Sequence, residues 1–256
     1  MKLRLLVFLI LTLLWSSCIE KSKRDPMKLV VFSKTAGYRH EVIPLAIKTF
    51  ESLAETNGWN MVHTEDSLFF SSRNLDSLQV VVFLHTTGDI LGPEQQSALK
   101  TFVNNGGGLV TVHSGTITEN DWPWFVTAVG AKFTGHPPVQ KGKLLIEDRH
   151  HPATSFLPDS VWIIEDEWYS FDRNPRDDVN VLISIDESSY GVDDNRWFEG
   201  AGQRMGDHPL VWHKKVGQGR VFQSALGHPE KLYSDSLFIR HLEGAVRWAA
   251  GNTDIK

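Results

Sequence analysis

The apolar positions of this chain follow two patterns. In the first half, short apolar runs cover Lys28 to Phe32, Val80 to Leu84 and Leu109 to Val112, and Trp59 to His63 gives a further strand. Runs without side-chain alternation read as strands buried on both faces. Between them the apolar residues recur at helical spacing. Ile43, Ile47, Phe50, Leu53 and Ala54 share one helical face, with Pro44 in the first turn and Gly58 just past the end. Pro93 opens a second helix carrying Leu99, Phe102 and Val103. This β-α-β-α-β order predicts an α/β fold with a doubly wound, mostly parallel sheet. The triplet Gly106-Gly107-Gly108 precedes a strand instead of opening a helix, so it reads as a helix stop and not as a phosphate cradle.

From Asp121 the pattern changes. Asp121-Trp122-Pro123-Trp124-Phe125 starts a short helix, Gly135-His136-Pro137-Pro138 makes a rigid turn, and short strands follow from Lys143 to Ile185 as a β-rich insertion. Leu210 to His213 and Arg220 to Ala225 return to strand character across a Gly217-Gln218-Gly219 hairpin turn. Phe238, Leu242, Ala245, Val246 and Ala249 mark a final amphipathic helix.

The amino terminus follows neither pattern. Lys2 and Arg4 precede an apolar run from Leu5 to Trp15, too short for a membrane span, and Ser16-Ser17-Cys18 follow as a processing site. Residues 1–17 therefore read as an export signal of lipoprotein type, Cys18 as the lipidated first residue, 18–26 as a tether and 27–251 as one domain, with no linker composition dividing it. The expected location is the bacterial cell envelope, lipid-anchored to the membrane. Acylation of the chain's only cysteine leaves no thiol for disulfides or thiolate catalysis. Loss of Lys2 and Arg4 takes the formal charge from −5 to −7, which speaks against nucleic acid as a partner.

The candidate chemistry is histidine-rich. In open α/β sheets ligands bind beyond the carboxyl ends of the strands, and His40, His85, His113 and His228 each follow a run assigned to this sheet. A lone histidine at such a place is ordinarily a core or loop residue, whereas four together suggest a site. His136 and His208 lie in loops that could close over the same edge. Imidazoles bind metal, move protons or hydrogen-bond hydroxyls near neutral pH. Glu167 offers a carboxylate, and Trp122, Trp124, Trp168, Tyr169 and Trp212 offer flat faces for a sugar ring. Ser114 as nucleophile would need a base in reach and lacks the full Gly-x-Ser-x-Gly elbow. Gly-x-Gly-x-x-Gly, a phosphate loop and His-Glu-x-x-His are all missing, which removes tightly held dinucleotides, nucleoside triphosphates and helix-borne zinc protease chemistry.

Several segments together resemble the ThuA-like, or trehalose-utilisation, family within the class I glutamine amidotransferase-like superfamily, whose sheet is flavodoxin-like. They include Lys34 to His40, Gly107 to Ser114, Asp121-Trp122-Pro123-Trp124, Gly135-His136-Pro137-Pro138, His151-Pro152-Ala153-Thr154, Asp166-Glu167-Trp168-Tyr169, Asp186 to Tyr190, Asp207-His208-Pro209 and Ala225 to His228. Amidotransferases carry a cysteine at the turn after the central strand. Here His113 and Ser114 stand there, while His228-Pro229-Glu230 resembles the His-x-Glu of the triad. Glutamine hydrolysis is therefore not expected.

Two readings follow. The resemblance implies an enzyme of sugar metabolism, a hydrolase, lyase or isomerase acting on a disaccharide or keto-form glycoside. His113, His228, Glu167, Ser114 and Glu230 are its candidate catalytic residues, His40, His85, His136, His208, Trp122, Trp124, Trp168 and Tyr169 its substrate contacts, and His113, His136 and His228 the ligands of a divalent metal, should one bind. Alternatively, the chain is a lipid-anchored sugar-binding or accessory protein that keeps the pocket without the catalysis.

Overall fold

A computed structural model describes residues 25–158, 161–192 and 204–252. The segment expected to be an export signal, Cys18 and most of the expected tether lie outside the described residues. The first half forms as the apolar pattern predicts: β1 (Lys28–Phe32), α1 (Ile43–Asn57), β2 (Asn60–Thr64), α2 (Ser72–Leu75), β3 (Val80–Leu84), α3 (Pro93–Asn104) and β4 (Gly108–Val112). The second half continues with α4 (Pro123–Val129), β5 (Phe133–Gly135), β6 (Gln140–Ile146), β7 (Val161–Asp166), β8 (Ser170–Phe171), β9 (Asn180–Ile185), β10 (Pro209–Val216), β11 (Gly219–Ser224) and α5 (Ser236–Ala249). The hairpin turn is tighter than expected, since Val216 already pairs with Gly219.

Nine strands make one sheet in the order β2-β1-β3-β4-β11-β10-β9-β6-β7. The pairings from β2 through β11 are parallel and those from β11 through β7 antiparallel. Apart from the edge strand β2, whose side chains are exposed or half-buried, the apolar runs are buried on both faces because alternate residues serve two cores. Leu29, Val31, Val80, Val82 and Val110 face Phe50 and Leu53 of α1 and Phe238, Leu242 and Val246 of α5. Val30, Phe32, Val81, Phe83 and Leu109 face Leu99 and Val103 of α3 and Phe125 and Val129 of α4. Helices thus cover both faces, so the sheet is doubly wound.

The glycine triplet has a packing explanation. A Cβ on Gly107 would stand 2.4 Å from the Phe102 ring, and one on Gly108 would stand 2.5 Å from the Ala249 carbonyl, where α5 crosses the strand.

The antiparallel half curls. β7 is five places from β4, which in a flat sheet would separate them by about 24 Å. Instead Trp162 and Ile164 of β7 join the core under α5, and Asp166 Oδ2 accepts the Gly227 N–H at 2.7 Å in the loop after β11. The far edge of the sheet is folded back onto the carboxyl ends of its centre. A small antiparallel ribbon of β5 and β8 lies beside it and carries the His136 turn and Tyr169.

Candidate active site

Four elements deliver one cluster. His40 comes from the β1–α1 loop, His113 from the end of β4, His228 from the loop after β11 and Glu167 from the end of β7. One ligand atom of each lies within 4.8 Å of all the others. Glu167 Oε2 is 3.0 Å from His228 Nδ1, 3.5 Å from His113 Nε2 and 3.6 Å from His136 Nε2.

His113 takes a backbone conformation unusual for a side-chain-bearing residue, φ +60° and ψ −91°. Such strain costs on the order of 1–3 kcal/mol and persists only when surrounding contacts fix it. Here the backbone N–H donates to Ser224 O at 2.7 Å and the ring is held at both ends. Nδ1 faces the Ala225 carbonyl at 2.9 Å, which can only accept, so Nδ1 carries the proton. The lone pair of Nε2 then points to the cluster and receives the Tyr169 hydroxyl at 2.8 Å. His85, φ +52°, ends β3 in the same way, but its Nε2 pairs with Tyr233 Oη at 2.7 Å beneath the cluster.

The two carboxylates of Asp166-Glu167 do different work. Asp166 is fully buried and accepts backbone N–H groups from Glu167 at 2.9 Å, His228 at 3.0 Å and Gly227 at 2.7 Å. Burial pushes its carboxyl up, against the pull of His113 and of those three N–H donors. It is a positioning residue, and the sequence reading passed over it. Burial also acts upward on Glu167, but the contacts to His113 and His228 outweigh it and hold Glu167 well below the usual carboxylate range. Burial alone would lower His228, yet Glu167 raises it above an ordinary histidine. His40 is driven down to about 2 by burial and then by His113 and His228. His136 is lowered by burial, which Glu167 partly opposes.

Above the cluster opens a cavity of about 690 Å³, lined by Tyr38, His40, Thr87, Ile117, Phe133, His136, Pro138, Val139, Glu167, Tyr169 and His228. Its floor is polar and its walls are largely apolar and aromatic.

Several candidate roles need correction. Ser114 is fully buried, does not line the cavity, and its Oγ has no hydrogen-bond partner, so no base stands within reach to activate it. Glu230 is exposed at the start of a 3-10 turn, and the carboxylate beside His228 is Glu167. His85 lies under the site. His208 is enclosed by Glu187, Tyr190 and the Tyr169 carbonyl, 2.8 Å from its Nε2, so it supports Tyr169 from behind. The tryptophans belong to packing. Trp122 and Trp124 lie against the core under α4, Trp168 is fully buried over Gly142, and Trp212 donates to Val129 O at 2.7 Å. The aromatic walls are Tyr38, Phe133 and Tyr169. Of these the sequence singled out Tyr169 alone, although Tyr38 sits inside the segment ending at His40.

A doubly wound α/β protein with a histidine and carboxylate centre at the carboxyl ends of its strands is thereby defined. The family model for ThuA, trehalose utilisation, matches residues 28–249, and the chain belongs to that family. Among curated proteins no sequence matches it. Its fold is similar to that of a ThuA-like protein from Bacteroides uniformis, at 24% identity and a TM-score of 0.72 over 88% of this chain and 92% of that one. It is also similar to one from Parabacteroides merdae, at 20% identity and 0.68 over 88% and 90%. A cytoplasmic protein from Salmonella typhimurium shares the fold at 12% identity and 0.56 over 87% and 99%.

Proposed function

We propose that this protein is an exported enzyme of carbohydrate metabolism, anchored by lipid at Cys18, that acts on a disaccharide or keto-form glycoside. The observation that carries the reading is the convergence of three imidazoles on Glu167 Oε2, at 3.0, 3.5 and 3.6 Å, on the floor of a cavity of small-molecule size. The family's link to trehalose utilisation supports the substrate class.

The groups suit proton transfer. His228, raised by Glu167, is the acid that donates to a substrate oxygen. His136 donates Nδ1–H to Pro137 O at 2.9 Å, which directs its Nε2 at the cluster as the base. A ring carbonyl acidifies the neighbouring C–H. His136 takes that proton, the electron pair forms the enolate, the enolate expels the β-oxygen substituent, and His228 protonates the departing oxygen. Glu167 holds the positive charge on His228, and His40 and Tyr169 orient hydroxyls.

A screen of keto-glycosides and disaccharides against wild type and Glu167→Gln tests this. Turnover by wild type, with kcat reduced at least a hundredfold in the variant, is expected. The second reading, a sugar-binding accessory protein, is favoured by the histidine that stands where amidotransferases carry their cysteine. It would appear as saturable binding without turnover, with His113→Ala only weakening that binding. Export predicts a membrane-bound chain that Cys18→Ser releases from the membrane fraction.

A further inference from the structure

We propose that His40, His113, His228 and Glu167 bind a single divalent transition-metal ion. Three imidazoles and a carboxylate form a nitrogen and oxygen donor set suited to zinc, manganese or iron. Bonds of about 2.0–2.2 Å place two donors on one ion roughly 3–4.4 Å apart. The separations of 3.0 Å between His228 Nδ1 and Glu167 Oε2 and 3.5 Å between His113 Nε2 and the same oxygen fall within that span. The full set, within 4.8 Å, needs only small side-chain adjustments to close.

Two atoms of the cluster call for a partner. His40 is 5% exposed, and neither its Nδ1 nor the Nδ1 of His228 makes a hydrogen bond. Glu167 Oε2 approaches His228 Nδ1 to 3.0 Å as an ion-pair contact. Buried polar atoms are ordinarily paired, and a cation at the cluster would give such a ring a partner.

The surroundings resemble a prepared ligand shell. The Ala225 carbonyl fixes the His113 tautomer so that Nε2 faces inward, and Asp166 grips the backbone N–H groups of Glu167 and His228. On binding, Tyr169 Oη yields its place on Nε2. Such an ion would supply Lewis-acid polarisation of a substrate oxygen in place of the His228 proton, while His136 stays outside the four as the base. Only this last consequence rests on the enzyme reading; the binding itself does not.

The test uses the full chain made without a polyhistidine tag, stripped with chelator and titrated with Co²⁺, whose visible bands report nitrogen and oxygen ligation. One equivalent of Co²⁺ displaced by Zn²⁺ is expected. Glu167→Gln and His228→Gln, shown to be folded by circular dichroism, should each weaken binding at least tenfold. His213→Asn, outside the cluster, should titrate as wild type. Absence of the bands, or bands unchanged in both glutamine variants, overturns the site. Turnover by protein that binds no metal would overturn it while sparing the enzyme reading. A metal-binding protein inert toward every glycoside would do the reverse.

Discussion

Replacing His241 should change how this fold responds to acid. The ring is fully buried on α5, directly beneath β11. Its Nδ1–H donates to Ala153 O at 2.9 Å and its Nε2 accepts from Ser224 Oγ at 3.2 Å, so it is buried neutral. Burial holds it at about 4, the Ala153 carbonyl opposing only in part. An unfolded histidine titrates near 6.5. Between these values the unfolded chain binds the proton and the folded chain does not, so stability falls as pH falls. From pH 7 to pH 5 this single group accounts for a loss of about 1.8 kcal/mol. His241→Asn keeps a donor for Ala153 and removes the titration. Urea unfolding at pH 7 and pH 5 should therefore show the variant, though less stable at pH 7, losing about 1.8 kcal/mol less than wild type over that interval. Equal losses would mean that His241 titrates in the folded protein as it does in water, and would refute the reasoning.

Other outcomes follow from the site. Gly227 adopts φ +127°, and a Cβ there would stand 3.1 Å from Tyr233 Oη, so Gly227→Ala should cost about 1–3 kcal/mol and lower the melting temperature in a calorimetric scan. In Asp166→Asn one side-chain oxygen becomes an N–H group that faces a backbone donor. A loss of about 1–3 kcal/mol is expected by denaturant titration, with weaker ligand binding because Glu167 and His228 lose their anchor. Tyr38→Ala should weaken an identified glycoside about 3- to 10-fold by calorimetry, whereas Trp124→Ala should leave its affinity unchanged.

The parallel half of the fold was readable because its signal is local. Runs such as Val80 to Leu84 are apolar throughout because neighbouring residues feed two different cores, and Pro44, Gly58 and Pro93 mark helix ends by backbone geometry alone. His40, His113 and His228 were found through their positions after strands, and Glu167 through its aromatic neighbours. What stayed hidden depends on tertiary closure. Asp166 and Glu167 are adjacent acids in one run, and only the curl of the sheet makes one a backbone clamp and the other the centre of the cluster. The tryptophans misled for a related reason: a large aromatic side chain suits a core as well as a sugar ring. The positive φ of His113 leaves no mark in composition, since it is imposed by contacts from β11 and Tyr169.

The carboxylate of the centre rides on β7, a strand that among the described residues has a neighbour on one side only. Outer strands open at lower free energy than the interior of a sheet. On that ground β7 is expected to open before the interior of the sheet, as a latch with Asp166 as its catch, and the centre would then come apart without global unfolding. Amide exchange along Val161–Asp166 would measure how often the latch lifts, and any ligand that joins Glu167 to the histidines of the central strands would hold it shut.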